Sequence, residues 1–252
     1  MLLLVTIRRL PFALAALALL SAAESLAAQT PPAPRLDTVA IVASRTRVAD
    51  PARSIRVITH DEIARSAART VADVLATAMS VDVYGRSAAQ ADVSIRGSSA
   101  EQVVVLVDGV RMTDVQSAHY TLDLAVPLAS VERIEILRGA GSALYGPDAV
   151  GGVINIVTRR AATEASVHSG SFGTVGGSVS SGTGRGALAL GASGDFDKSD
   201  GHRDGTDYRN GQGRLTLSAP VAAGTLLANV ALGVRDFGAA DFYGPYDSKE
   251  RT

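Results

Sequence analysis

Ile134 to Arg160 reads IEILRGAGSALYGPDAVGGVINIVTRR, and the fold turns on this stretch. Ile134, Ile136 and their neighbours form a short alternating strand. A glycine-punctuated turn follows, with Gly139, Gly141 and Gly146 and then Gly151-Gly152. Val153, Ile154, Ile156 and Val157 make a second, β-branched strand that ends in Thr158-Arg159-Arg160. Glycine at this density lets backbone turn tightly, or approach a surface where a Cβ would clash. Phosphate-binding loops share this look, so their other elements decide. Gly139-Ala140-Gly141 continues as Ser142-Ala143-Leu144, without the third glycine of a dinucleotide fingerprint. No Gly-Lys-Ser/Thr follows either. What remains is a strand, a tight turn and a strand.

The rest of the chain says what that unit serves. Its 252 residues suffice for one large or two ordinary domains. A net charge of −1 gives no long-range field for nucleic acid, and the absence of tryptophan with 4% aromatics makes a base-stacking surface a poor fit. The absence of cysteine removes disulfides, thiolate metal sites and cysteine nucleophiles together. Alanine, valine and 25 glycines suit sheet surfaces more than a large aromatic core.

Arg8-Arg9 precede an apolar run from Leu10 to Leu20, and small residues follow. The run is too short for a spanning helix, which needs roughly 20 residues. Residues 1–28 therefore read as a Sec-type signal peptide. Residues 29–36, with Pro31, Pro32 and Pro34, form a linker. Asp37 to Arg45 (DTVAIVASR) is a strand-like run suited to pairing with a partner's sheet, and equally suited to being a first strand of the domain.

From Ser54 the pattern is mixed. Ile55, Val57 and Ile58 predict a strand. Thr59 and Glu62 have capping-box spacing, which opens a short helix and accounts for His60 as part of the helix start. Thr70 opens a second helix with Val71, Val74 and Leu75 on one face. Strands follow around Val81–Tyr84, Asp92–Arg96 and Gln102–Val107, and Asp108-Gly109 is a hairpin signal. Two polar loops, Gly85–Ala91 and Thr113–Thr121, lie between strands, where binding residues concentrate.

After Arg160 two-residue alternation takes over. Leu226, Ala228, Val230, Leu232 and Val234 make one apolar face, with Leu227 the exception on the other. Leu215, Leu217 and Ala219 stand opposite Arg214, Thr216 and Ser218. A membrane barrel has this pattern, and so does a soluble sheet packed on one side. Gly182-Thr183-Gly184 and Val221–Gly224 read as short turns, and Gly194–Tyr208 as a long loop, the unequal spacing of an outer-membrane barrel. Asp195, Asp197, Asp200 and Asp204 in that loop offer oxygen ligands for calcium, although the register fails the EF-hand pattern. No other cofactor is expected. No nucleophile elbow, zinc helix or acid–base constellation is found, so the chain is not expected to be an enzyme.

IRGSSAEQVVVLVDGVR, followed by VERIEILRGAGSALYGPDAVGGVINIVTRR, resembles the plug domain of TonB-dependent outer-membrane receptors, and DTVAIVASR resembles their TonB box. The end of the chain, RDFGAADFYGPYDSKERT, is similar to the cobalamin-receptor branch. The resemblance implies an α+β plug domain at 46–160 followed by the start of a transmembrane antiparallel β-barrel at 161–252, with the TonB box at 37–45. It implies binding to TonB through Asp37, Thr38, Val39, Ala40, Ile41 and Val42. It implies ligand contacts from apical plug loops at Ser87, Ala88, Ala89, Gln90, Thr113, Asp114, Gln116, Ser117 and His119. Arg138, Gly139, Tyr145, Gly146, Gly151, Gly152 and Asn155 carry the structural plug motif. Ala140 stands where the family usually has proline, which should loosen that turn.

The implied function is energy-coupled uptake of a scarce large nutrient across the bacterial outer membrane. The ligand would be cobalamin, or alternatively a ferric siderophore or haem. The partners would be TonB with its inner-membrane complex and the outer-membrane lipid, with no nucleic acid. A reading of another class is a non-transporting periplasmic binding module. Such receptors close a barrel of about twenty-two strands, whereas roughly five fit between Ala161 and Thr252. The barrel is therefore expected to be incomplete in this chain, a truncated or partial receptor that does not transport by itself.

Overall fold

The computed structural model describes residues 54–87, 90–112, 121–159, 163–185, 188–222, 224–241 and 249–251. The expected signal peptide, proline linker and TonB box lie outside these residues. The described chain builds two sheets and a hairpin. The first sheet is five-stranded and contains both strands of the glycine stretch. Its members are β1 (Ser54–Thr59), β4 (Val103–Val107), β5 (Val110–Met112), β6 (Val131–Arg138) and β7 (Gly152–Thr158), in spatial order β1-β6-β7-β4-β5. Only β4 and β7 run parallel. β7, GVINIVT, is buried at every position. An unbroken β-branched run, rather than strict alternation, is what a strand covered on both faces demands.

One face of this sheet packs Ile134, Ile136, Ile154 and Ile156 against two short helices. These are α1 (His60–Ala64), which buries Ile63, and α2 (Val71–Ala76), which buries Val71, Val74 and Leu75. Thr59 and Thr70 cap them through complete capping boxes, with Glu62 and Asp73 as reciprocal partners. The hairpin of β2 (Val81–Ser87) and β3 (Gln90–Ile95) closes the same core with Val93 and Ile95. On the other face Val104, Leu106, Leu137 and Val153 pack with Ala149 and Tyr145.

Asp108 and Gly109 turn β4 into β5 with φ of +52° and +80°, the paired positive angles of a type I′ turn. Between β6 and β7 the sequence predicts only a turn. The structure adds a single helical turn, α3 (Ser142–Tyr145), and closes the loop with Gly139 N–H to Gly151 O and Gly141 N–H to Ala149 O, both 2.8 Å. These two bonds flank Ala140. Arg111 pairs with Asp148 across the loop.

The second sheet is an antiparallel meander of six strands, β8 (Glu164–Ser169), β9 (Val175–Arg185), β10 (Leu188–Ser199), β11 (Tyr208–Val221), β12 (Gly224–Gly238) and β13 (Lys249–Arg251). It is an open sheet, one strand more than the sequence suggests. Among the described residues no helix is long and apolar enough to cross a membrane, which says nothing about crossing by strands.

Two sequence expectations need correction. Gly182-Thr183-Gly184 is strand, paired with Gly191, Leu190 and Ala189, and the change of direction comes only after Arg185. Glycine there reads as a turn signal, yet its missing Cβ serves close strand approach. The expected loop from Gly194 to Tyr208 is shorter than expected, because Gly194 to Ser199 continue β10. Only Asp200 to Asp207 connect it to β11.

Two substitutions test this packing. A Cβ at Gly152 would lie 2.3 Å from the Leu137 carbonyl oxygen and 2.7 Å from Ile95 Cδ1. Gly152→Ala should cost about 1–3 kcal/mol or prevent folding, seen as a lowered unfolding midpoint. Thr59→Ala should cost about 1 kcal/mol. The Thr59 N–H holds the Glu62 carboxyl below its usual value. The stabilisation from Glu62 is therefore present above the unfolded carboxylate pKa and is lost as pH falls through the lower folded one. Glu62→Gln should remove that part of the acid sensitivity in an unfolding titration.

Candidate functional site

The two sheets meet along a polar seam. Pairing fixes which side chains of the second sheet face the plug: Glu164 and His168 from β8, Asp195 and Asp197 from β10, and Tyr208, Gln212 and Arg214 from β11. The alternate positions, among them Leu190, Leu215 and Leu217, face outward and are exposed. A strict two-residue period thus separates an apolar side from a side that reaches the plug.

Four clusters join plug and wall. The first is centred on Asp108, whose Oδ1 accepts from Thr158 N–H at 2.8 Å and whose Oδ2 accepts from Thr158 Oγ1 and Arg214 Nη2, each at 2.8 Å. Both members of the Arg214–Asp108 pair are buried. The second is centred on Asp197. It receives the Tyr208 hydroxyl at 3.0 Å, lies 2.8 Å from His168 Nε2 and pairs with Arg69 at 3.4 Å. Arg69 also donates to the Tyr208 oxygen at 2.9 Å.

In the third, His60 places Nδ1 3.0 Å from the Val131 carbonyl oxygen and Nε2 3.1 Å from Glu164. Arg159 holds the same Glu164. The fourth is Arg235 donating to the Leu124 carbonyl at 3.1 Å. Inside the plug, Asn155 donates to Glu135 at 2.9 Å and accepts from Gly109 N–H at 3.1 Å, so this buried amide of the plug motif is satisfied.

Two cavities of about 260 Å³ each line the seam. The first is bounded by Arg69, Gln90, Asp195, Tyr208, Gln212 and Arg235. The second lies between α1 and β8–β10.

Of the expected ligand residues, Gln90 opens β3, is buried, and brings an unpartnered Oε1 to the first cavity. Ser87 ends β2. Ala88, Ala89, Thr113, Asp114, Gln116, Ser117 and His119 lie outside the described residues, as do Asp37, Thr38, Val39, Ala40, Ile41 and Val42. The expected calcium set of Asp195, Asp197, Asp200 and Asp204 is not assembled. Asp195 accepts from Gln212 at 2.8 Å and Asp197 is engaged as above, both from within β10. Among the described residues no three acidic or histidine side chains come together for a metal. Residues 194–199, expected in a loop, are strand, and their parity aims Asp195 and Asp197 at the plug.

Of the remaining plug-motif residues, Arg138 ends β6 with its Nε unpartnered, Gly139 and Gly146 take positive φ, and Tyr145 packs on the second core. Gly151 leads into β7 and Gly152 is its first residue. The sequence reading missed Arg69, Asp108, Arg214 and Arg235 as cross-links, and explained only half of His60. Arg214 on the polar face of an alternating strand was the one local signal.

The Asp108 cluster is testable. Removing one partner of a buried, hydrogen-bonded ion pair costs about 3–5 kcal/mol. Arg214→Met and Asp108→Asn should each lower the unfolding midpoint strongly. The double variant should lose less than the sum, measured as a coupling energy in a double-mutant cycle.

Comparison with known proteins identifies this arrangement. Residues 47–153 match the family model described as TonB-dependent Receptor Plug Domain. The vitamin B12 transporter BtuB of Vibrio cholerae is 36% identical over 128 residues, covering 49% of this chain and 21% of that protein. BtuB of Photobacterium profundum is 37% identical over 148 residues, covering 54% and 24%. The chain therefore spans about a quarter or less of the length of these curated relatives. Among solved structures, the unliganded ferric citrate transporter FecA superposes with a TM-score of 0.62 at 21% identity, covering 74% of this chain and 32% of that one. The siderophore receptor PirA from Pseudomonas aeruginosa gives 0.55 at 26% identity, covering 73% and 34%. The family is one of transporters and receptors, not of enzymes. Residues 47–153 thus match the plug domain of TonB-dependent receptors, and the antiparallel strands that follow resemble the start of such a receptor's barrel.

Proposed function

We propose that this chain is the plug and opening wall of a receptor for TonB-coupled uptake of a corrinoid across the bacterial outer membrane. The observation that carries the reading is the identity of 36–37% to two vitamin B12 transporters over 128 and 148 residues. The polar seam supports the gating part. Plug and wall meet through charged and hydrogen-bonded side chains, which exchange for water at lower cost than an apolar interface of the same size.

In this reading, ligand seats against the apical plug loops around Ser87–Gln90 and Thr113–His119. Seating changes the exposure of Asp37–Val42 on the periplasmic side. TonB captures that segment as an added strand, where backbone N–H and C=O groups supply the affinity. A signal peptide at residues 1–28 delivers the protein to the envelope. A ferric siderophore is the second reading, favoured by the structural likeness to PirA. A soluble periplasmic plug module is separated from both by cell fractionation.

The test uses the gene at its full length. Cells should take up labelled cobalamin only when TonB is present. Val39→Pro, which removes a backbone donor from the box, should abolish uptake and leave surface binding of cobalamin unchanged. Uptake that ignores TonB would overturn the mechanism. Ferric-siderophore uptake without cobalamin binding would replace the ligand and keep the mechanism.

A further inference from the structure

The outward face of the second sheet carries a charged row that the uptake reading leaves unexplained. Strand register aligns Val175, Lys198, Arg209, Asp236 and Arg251 across β9 to β13. Lys198 and Arg209 are direct cross-strand partners. Like charges directly opposite each other destabilise a sheet. Among the described residues neither has an ion-pair partner, and Asp236 offsets only one of the row's three cations.

The position of the row is as informative as its charge. On the loop side of it lies the eight-residue Asp200–Asp207 connection, and on the other side the outward rows are uncharged. Phe196, Gly211 and Val234 form the next row, and Leu190 with Leu217 lies further down. The next outward charge is Arg185, level with Leu188. Leu188 to Phe196 spans about 27 Å of strand at about 3.4 Å per residue. At the usual barrel tilt of about 40° this is about 20 Å, close to the height of a lipid-facing band. Lys198, Arg209 and Arg251 therefore stand at the border of that band, on the long-loop side, which in outer-membrane barrels is extracellular.

We propose that Lys198 and Arg209, with Arg251 two strands further along the row beyond Asp236, bind the phosphate groups of outer-leaflet glycolipid headgroups. This rests on the receptor reading above. A phosphate set between the two side chains turns their repulsion into two charge-assisted contacts, and the arginine fork matches phosphate geometry. A lipid supplies the anion at the right depth, with acyl chains lying against the apolar rows below. Among the described residues Arg185 at the opposite border faces Leu188 and no cation across the strands, and it serves as the internal comparison.

The full-length receptor, purified from outer membranes, is reconstituted in phosphatidylcholine nanodiscs with bisphosphorylated lipid A, with fully dephosphorylated lipid A, or with inorganic phosphate alone. The bisphosphorylated lipid should raise the unfolding midpoint; the dephosphorylated lipid and free phosphate should not. The K198Q/R209Q variant should need about tenfold more lipid for the same rise, as expected for losing charge-assisted contacts. Arg185→Gln and Lys198→Arg should respond like the parent. Cobalamin binding by each variant reports that it is folded. A membrane-embedded K198Q/R209Q protein that responds like the parent would overturn the lipid site alone, as would an equal response to dephosphorylated lipid or to free phosphate. A product found only in the soluble fraction would overturn the receptor reading, and the lipid site with it.

Discussion

The carboxylate of Asp108 binds together three pieces of chain that are far apart in sequence. It sits in the β4–β5 turn, accepts both donors of Thr158 at the end of β7, and meets Arg214 from the wall. An unpaired carboxylate at this depth would be costly, and so would an unpaired arginine. The plug therefore folds with its central strand ending against the wall it is to occupy. The glycine stretch places β7 where this is possible, because Gly152 lets β7 lie against Leu137 and Ile95 without a Cβ between them.

The seam around that cluster is polar where domain cores are apolar. Arg69, Tyr208, Asp197 and His168 form one network, and His60, Glu164 and Arg159 another. Hydrogen-bonded networks of this kind fix a unique arrangement while leaving routes for water along cavities of about 260 Å³. For the proposed gating, such a polar seam suits a separable plug better than a greasy contact of the same size. The outward face obeys the opposite chemistry, with Leu190, Leu215, Leu217 and Val230 exposed in register.

Much of this was legible in the sequence because it is local. Thr59 and Glu62 announce a capping box, Asp108-Gly109 a type I′ turn, and the alternation of Leu215 and Leu217 with Thr216 and Ser218 a two-faced strand. The plug resemblance rests on a motif whose glycines have backbone reasons to be there. What was not legible is long-range. Arg69 and Tyr208 are 139 residues apart and Asp108 and Arg214 are 106 apart, so neither pair has a local signature. Glycine misled where it serves strand approach, at Gly182 to Gly184. Asp195 and Asp197 misled because a charged stretch ending in Asp-Gly looks like a loop until pairing with β11 shows it to be strand.

The central claim is that one side of the second sheet holds the plug while the other meets lipid. These 252 residues contain no cysteine, and single cysteines are introduced into a full-length background cleared of any other. The direct measurement is the accessibility of nitroxide labels, placed one at a time at Leu215, Thr216, Leu217 and Ser218 in the membrane-inserted full-length protein, to a lipid-soluble quencher. The account predicts strong quenching at Leu215 and Leu217 and weak quenching at Thr216 and Ser218. Uniform quenching, or quenching by a water-soluble agent at Leu215 and Leu217, would contradict it.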